Sequence, residues 1–194
     1  MTTGTGRGTR RRSGFTIIEL LMVVAVISIV DGWALPKFSI ARYRADAAGR
    51  LVRLVLQTAQ RNAITRQSNV IISFDMTYNR MRVVQDYNNN DTLNTTDQVM
   101  FKPLEEGAKY VQPTWAGVTG VVPTGAVTGP ALKTVSSMTS VIFRRDGSAS
   151  SDLEVYVTTR DAVRVEYRGI QLSSSTGKVD LFKWNGSTWI RMNQ

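Results

Sequence analysis

Residues 1–14, MTTGTGRGTRRRSG, are polar and carry four arginines with no acid beside them, and at Phe15 the chain changes abruptly to an apolar run that lasts to Leu35. No other feature constrains the chain as strongly. A helix of about 20 apolar residues crosses the roughly 30 Å of hydrocarbon in a bilayer, and the basic flank stays on the cytoplasmic side. The boundary therefore predicts a single-pass transmembrane helix over residues 15–35, with everything after it facing the periplasm. One carboxylate, Glu19, breaks the first half of the run, and an ionised group in hydrocarbon costs on the order of a few kcal/mol unless it is paired. A cut between Gly14 and Phe15 would create the partner: the new α-amino group of Phe15, on the same chain or on a neighbour. A second carboxylate, Asp31, falls roughly 24 Å along the helix from Phe15, at the far interface, where headgroups or water solvate it. A contact with another subunit is the alternative reading of Asp31.

Two other readings of the segment stay open at this point. An ordinary secretory signal could be cut after Gly32-Trp33-Ala34, giving a start at Leu35, although the length of the run and Glu19 within it fit this poorly. A plain uncut anchor is the other. Composition narrows the function classes. The chain has neither cysteine nor histidine, which removes thiolate and imidazole metal sites, Cys nucleophiles and the Ser-His-Asp triad. An enzyme is not expected. A serine cluster at Ser173–Ser175 near Lys178 reads as a turn between strands rather than as a Ser-Lys hydrolase. The formal charge of +9 falls to +5 without the first fourteen residues, which leaves 20 bases against 15 acids, an ordinary balance for a soluble surface.

The run RRSG-FTIIELLMVVAVISIV resembles the class III signal of type IV prepilins and type II secretion pseudopilins. That family has a basic leader ending in Gly, then Phe, then Glu at the fifth mature position, and Gly14, Phe15 and Glu19 fall on those positions. The resemblance implies cleavage after Gly14 by prepilin peptidase, N-methylation of Phe15, and pairing of Glu19 with a neighbouring subunit's Phe15 amine during assembly. Pro36 falls where family members often carry a helix-kinking proline. The implied partners are other pilin or pseudopilin subunits, the peptidase, an inner-membrane assembly platform and membrane lipid. The implied location is the inner membrane, then a pilus or pseudopilus filament.

Beyond the membrane, Ala41, Ala45, Ala48, Val52, Val55, Ala59 and Ala63 recur at spacings of three and four, the mark of one helical face. The helix is thus expected to continue over residues 36–66, with arginines on its other faces and a bend at Pro36. Short alternating or β-branched runs predict strands at Val70–Phe74, Met81–Val84, Val141–Phe143, Leu153–Val157, Val163–Tyr167, Val179–Trp184 and Trp189–Arg191. Thr77-Tyr78-Asn79 and Asn185-Gly186 supply turns. Residues 102–139 read as a long loop with short strands near Tyr110 and Val121. The fold class is α+β: a long N-terminal helix, half transmembrane and half amphipathic, packed on an antiparallel β-rich head over residues 67–194, pilin-like. The order of elements, with Val141-Ile142-Phe143 leading into Asp146-Gly147, resembles the GspH/FimT branch of that family.

Two further sites are candidates. Asp86, Asn88, Asn90, Thr92, Asn94 and Asp97 place oxygen side chains at the first, third, fifth, seventh, ninth and twelfth positions of a loop, the spacing of a calcium site. Calcium is the only candidate cofactor. Asp91 stands where such a loop wants Gly, and a solvated Asx-rich turn is the competing reading. Lys183 and Arg191, beside Trp184 and Trp189, are candidates for nucleic acid, because some minor pilins of the resembled branch assist DNA uptake. Alternation sends neighbours of opposite parity on one strand to opposite faces, and packing of the tryptophans on the core or across the final hairpin is the competing reading.

Overall fold

The computed structural model describes residues 16–192, with the backbone alone over 30–39. The chain divides into two compact units at Ser39. A single helix, α1 (Ile17–Arg66), contributes to both. In the first unit, the side chains from Ile17 to Ile29 lie along α1 with nothing packed on them, from 51 % exposed at Val23 to 83 % at Ile17. Among the described residues no helix is both long and apolar enough to cross a membrane. The described part of the apolar run covers about 20 Å at 1.5 Å per residue. Phe15 and the side chains of residues 30–39, Asp31 and Pro36 among them, lie outside the described residues.

In the second unit α1 is the common wall of two antiparallel sheets. The strands are β1 (Asn69–Asp75), β2 (Arg80–Asp86), β3 (Gln98–Pro103), β4 (Ala108–Tyr110), β5 (Val127–Thr128), β6 (Lys133–Val135), β7 (Met138–Phe143), β8 (Leu153–Thr159), β9 (Arg168–Leu172), β10 (Val179–Trp184) and β11 (Trp189–Arg191). One sheet has the order β3-β2-β1-β7-β6 and the other β11-β10-β9-β8-β4, with β5 also on β8. Alternation sends Val70, Ile72, Phe74, Met81, Val141 and Phe143 of the first sheet, and Leu153, Val155, Val157, Ile170, Leu172, Val179 and Leu181 of the second, into one core. Ala48, Val52, Val55, Leu56, Ala59 and Ala63 of α1 complete it. The predicted helical stripe is therefore the buried one.

Small residues on that stripe let backbone meet sheet. A Cβ built on Gly49 would stand 2.9 Å from Leu181 Cδ1 and 3.2 Å from Arg168 Cβ, so the helix lies close against β9 and β10 and a side chain there would have to displace both neighbours. Beside it Arg168, nearly fully buried, donates to Asp46 at 2.6 Å. Farther along, Gln60 Nε2 donates to the carbonyls of Gly147 and Thr176, at 2.9 and 3.0 Å. The helix thus runs the same way as β9, from Arg168 toward the turn at Thr176.

Four sequence expectations change. The strand expected at Val163–Tyr167 is a 3₁₀ turn, Arg164–Glu166, and the strand β9 follows it. Gly169 weakens the strand signal there, yet glycine is needed because Val118, Trp189 and the Tyr156 ring all crowd its Cα. The edge strand β3 was not expected, since Gln98 and Lys102 frame only three apolar residues. Two short strands, β5 and β6, lie inside the expected loop, and the one expected near Val121 is absent among the described residues. At the final hairpin Gly186 takes the positive φ (+106°), while Asn185 Oδ1 accepts the N–H groups of Ser187 and Thr188.

Replacing Gly49 with Leu should destabilise the head by about 1–3 kcal/mol, since the sheet cannot retreat without opening the core. Thermal unfolding checks this, and an unchanged melting temperature would show that the close approach is not needed.

Candidate functional site

The first turn of α1 opens at Thr16, whose hydroxyl accepts the N–H of Glu19 at 3.3 Å. Thr16-Ile17-Ile18-Glu19 has the spacing of a capping box, a signal the sequence reading passed over. The cap fixes where the helix begins and places the Glu19 carboxylate on its exposed first turn, where the positive end of the helix dipole favours an anion. From Ile17 to Ile29 Glu19 is the single ionisable residue. An apolar helix face left uncovered in water is unfavourable by roughly 25 cal/mol per Å², so this surface calls for lipid or for other apolar helices. Gly14 and Phe15, the expected cleavage residues, lie outside the described residues.

Residues 9–30 match the family model described as the prokaryotic N-terminal methylation motif. The N-terminal segment is type IV pilin-like. The matched residues span the end of the polar leader, Gly14, Phe15, Glu19 and the apolar helix, so this pilin-like segment and the exposed first turn are one feature. Two solved structures resemble the chain in outline, and both are of the minor pseudopilin EpsH from the type II secretion system of Vibrio cholerae. One is 10 % identical with a TM-score of 0.48, covering 72 % of this chain and 97 % of that one. The other is 14 % identical with a TM-score of 0.47, covering 75 % and 98 %. No curated protein sequence matches the chain.

The six residues of the candidate calcium loop come together, and Asp86, Asn88, Asn90 and Asp97 turn side-chain oxygens onto N–H groups of the loop itself. Asp86, fully buried, accepts the N–H groups of Asn90 and Asp91 at 3.3 and 2.8 Å. Asn88 accepts the N–H of Asn90, and Asn90 accepts from the N–H and hydroxyl of Thr92 and from the amide of Asn94. Asp97 accepts from Tyr87 and Asn94. Among the described residues no group of three or more His, Cys, Asp or Glu is placed to hold a metal. The turn uses Asx side chains as substitutes for backbone carbonyls, with Asn89 and Asp91 at positive φ. Folded this way, it lays Leu93 over the second apolar cluster, Ile71, Val84, Val135 and Ile142, on the far face of the first sheet.

Asp91 ties this cover down. Its carboxylate pairs with Lys133 at 2.7 Å and Arg144 at 3.2 Å, and also accepts from the Asn69 amide. Burial raises its pKa, but the two cations outweigh that and hold it below the ordinary 3.8.

Lys183 and Arg191 do not share a surface. Lys183 stands opposite Ile190 and Arg191 opposite Phe182 in the β10–β11 register, so the two bases are on opposite faces of the pair. Arg191 is held by Asp180, which Lys178 also approaches at 3.4 Å. The tryptophans, opposite each other across the hairpin, are packed rather than offered: Trp184 and Trp189 lie 5.3 Å apart between Trp115 and Tyr156, and Trp189 Nε1 donates to Ala116 at 2.9 Å.

The Asp91 pairs predict a pH dependence with a definite sign. A carboxylate held below its unfolded pKa contributes stability that is present above that pKa and is lost as the pH falls through the folded value. Asp91→Asn should lower stability at pH 7 by about 1–2 kcal/mol, and the gap from wild type should close as the pH drops below about 4. Melting curves at pH 7 and pH 3 test it; a pH-independent gap would mean that the ion pairs contribute nothing.

Proposed function

We propose that the chain is a minor pilin or pseudopilin subunit, cut by prepilin peptidase between Gly14 and Phe15, N-methylated at Phe15, and assembled into a type II secretion pseudopilus or a type IV pilus. The observation that carries this reading is the methylation motif over residues 9–30. It coincides with an uncovered apolar helix whose single described charge is Glu19. Before assembly the apolar segment is held in the inner membrane, N-terminus cytoplasmic and head periplasmic. During assembly the same surface exchanges lipid for the helices of neighbouring subunits. Glu19 sets the register, because an unpaired carboxylate in an apolar bundle is costly and its pairing with a neighbour's Phe15 amine removes that cost.

In this reading the head contributes shape and contacts rather than turnover. DNA binding for natural transformation gains no support from Lys183 and Arg191 on opposite faces. A calcium ion in the Asp86–Asp97 loop would have to displace backbone amides already bound to both end carboxylates.

Glu19→Ala should still be cleaved and accumulate in the membrane while its incorporation into filaments is largely lost. Immunoblots of membrane and sheared-filament fractions read both quantities, and normal incorporation would refute the pairing role.

A further inference from the structure

The second sheet has an outer face as well as a core face. The residues on either side of Glu154, Gln171 and Asp180 in β8, β9 and β10 point into the core, so these three point outward. The register sets them in one rung, Glu154 opposite Gln171 and Gln171 opposite Asp180. The segment 117–130 is pinned over this face. Thr119 N–H donates to Glu154 Oε1 at 2.9 Å, Val118 N–H donates to the Tyr156 hydroxyl at 3.0 Å, and the Gln112 amide donates to the Pro123 carbonyl at 2.6 Å. Between segment and sheet lies a cavity of about 690 Å³, lined by Val121, Val122, Pro123 and Pro130 and by the rung. Its size is that of a small-ligand site, and apolar walls with a few convergent polar groups are what such sites share.

Charge in the cavity is unbalanced. Of its lining residues Asp152, Glu154 and Asp180 are acidic and Lys178 alone is basic. Asp180 is met by Lys178 and Arg191, and Asp152 accepts the N–H and hydroxyl of Ser174. Glu154, only 8 % exposed, accepts the Thr119 N–H and the Tyr156 hydroxyl, one on each oxygen. Among the described residues no cation pairs with it. Each carboxylate oxygen can accept two bonds, so both keep a lone pair for a further donor. A carboxylate buried this far without a counter-ion is unfavourable, and a cation entering the cavity relieves that cost.

A metal ion does not suit the cavity: among the described residues no three acidic side chains converge on one point, and the apolar walls offer nothing to a hydrated ion. A cation on a hydrocarbon stem suits both, with methylenes against valine and proline and the charge against Glu154. The rim selects between a free amine and the side chain of a polypeptide. Val121 and Val122 are 69 and 55 % exposed, an apolar lip that a small amine inside the cavity would leave in water and that an extended chain would cover. We propose that this cavity seats a lysine side chain presented by an extended segment of a second protein. Its ammonium, with three donors, meets the Glu154 oxygens and the Gln171 carbonyl, and the residues flanking the lysine lie on Val121 and Val122. Only the head takes part, so the contact is independent of how the N-terminus is processed.

Calorimetry of the full-length chain in a non-ionic detergent tests this with two blocked pentapeptides, one carrying a central lysine between two valines and the other norleucine in place of the lysine. The lysine peptide should bind at least about tenfold more tightly, the worth of a hydrogen bond between charged groups. Glu154→Gln should erase the difference between the two peptides. Because Glu154 also holds the segment above it, a second variant keeps the test clear of folding. Val122→Lys, at an exposed position, carries its own ammonium into the cavity and should abolish binding of the lysine peptide with an unchanged melting temperature. Equal affinity for the two peptides, no binding of either, or undiminished binding to Val122→Lys overturns the proposal. Displacement of the lysine peptide by an equal concentration of 1,5-diaminopentane would show that the cavity takes a free amine, and overturns the polypeptide partner.

Discussion

Both sheets of the head depend on one strip of α1. Ala45, Ala48, Gly49, Val52, Ala59 and Ala63 have almost no side chain beyond Cβ or Cγ, and that lets a helix lie close to two sheets at once. Larger residues on this strip would push the sheets apart and open the core they share. Neither sheet buries its inner face without the helix, so the head and residues 40–66 form one folding unit. The Asp46–Arg168 pair and the Gln60 amide then fix the sliding position of the helix along the second sheet.

The same helix reverses its character toward the N-terminus. Past Ser39 its side chains fill a core, whereas Ile17 to Ile29 meet nothing. A face of that kind is stable only in lipid or against like helices. The match to the methylation motif overlaps this uncovered part, so the family signal and the physical demand for an apolar partner fall on the same stretch.

Much of this was legible in the sequence because the signals were local and periodic. The spacing of Ala45 to Ala63 named the buried helical face, and the alternation in Val70–Phe74, Leu153–Val157 and Val179–Trp184 named strands that bury one side against it. What escaped depends on distant partners. The strand β9 contains Gly169, which reads as a weak strand residue until Val118 and Trp189 are seen pressing on it. The edge strand β3 is held mainly by its pairing with β2 and buries none of its own side chains, so no hydrophobic period announces it. Asp46 and Arg168 lie 122 residues apart, and no spacing rule links them. The Asx loop was legible as a ring of oxygens, but not as a cover for Ile71, Val84 and Ile142, because that role depends on where Leu93 lands.

At the N-terminus the family model matches the stretch on which the expected cleavage site was read, while Gly14 and Phe15 themselves lie outside the described residues. Gly14, Phe15 and Glu19 lie close together in the chain, so the signal they form is local. Only the cap from Thr16 was added by the structure. The central claim is that a new amino terminus at Phe15 faces Glu19, and the intact mass and first residue of the protein taken from native membranes test it most directly. A chain beginning at Phe15 and heavier by one methyl group is the predicted result. A chain beginning at Met1, Thr2 or Leu35 would contradict it.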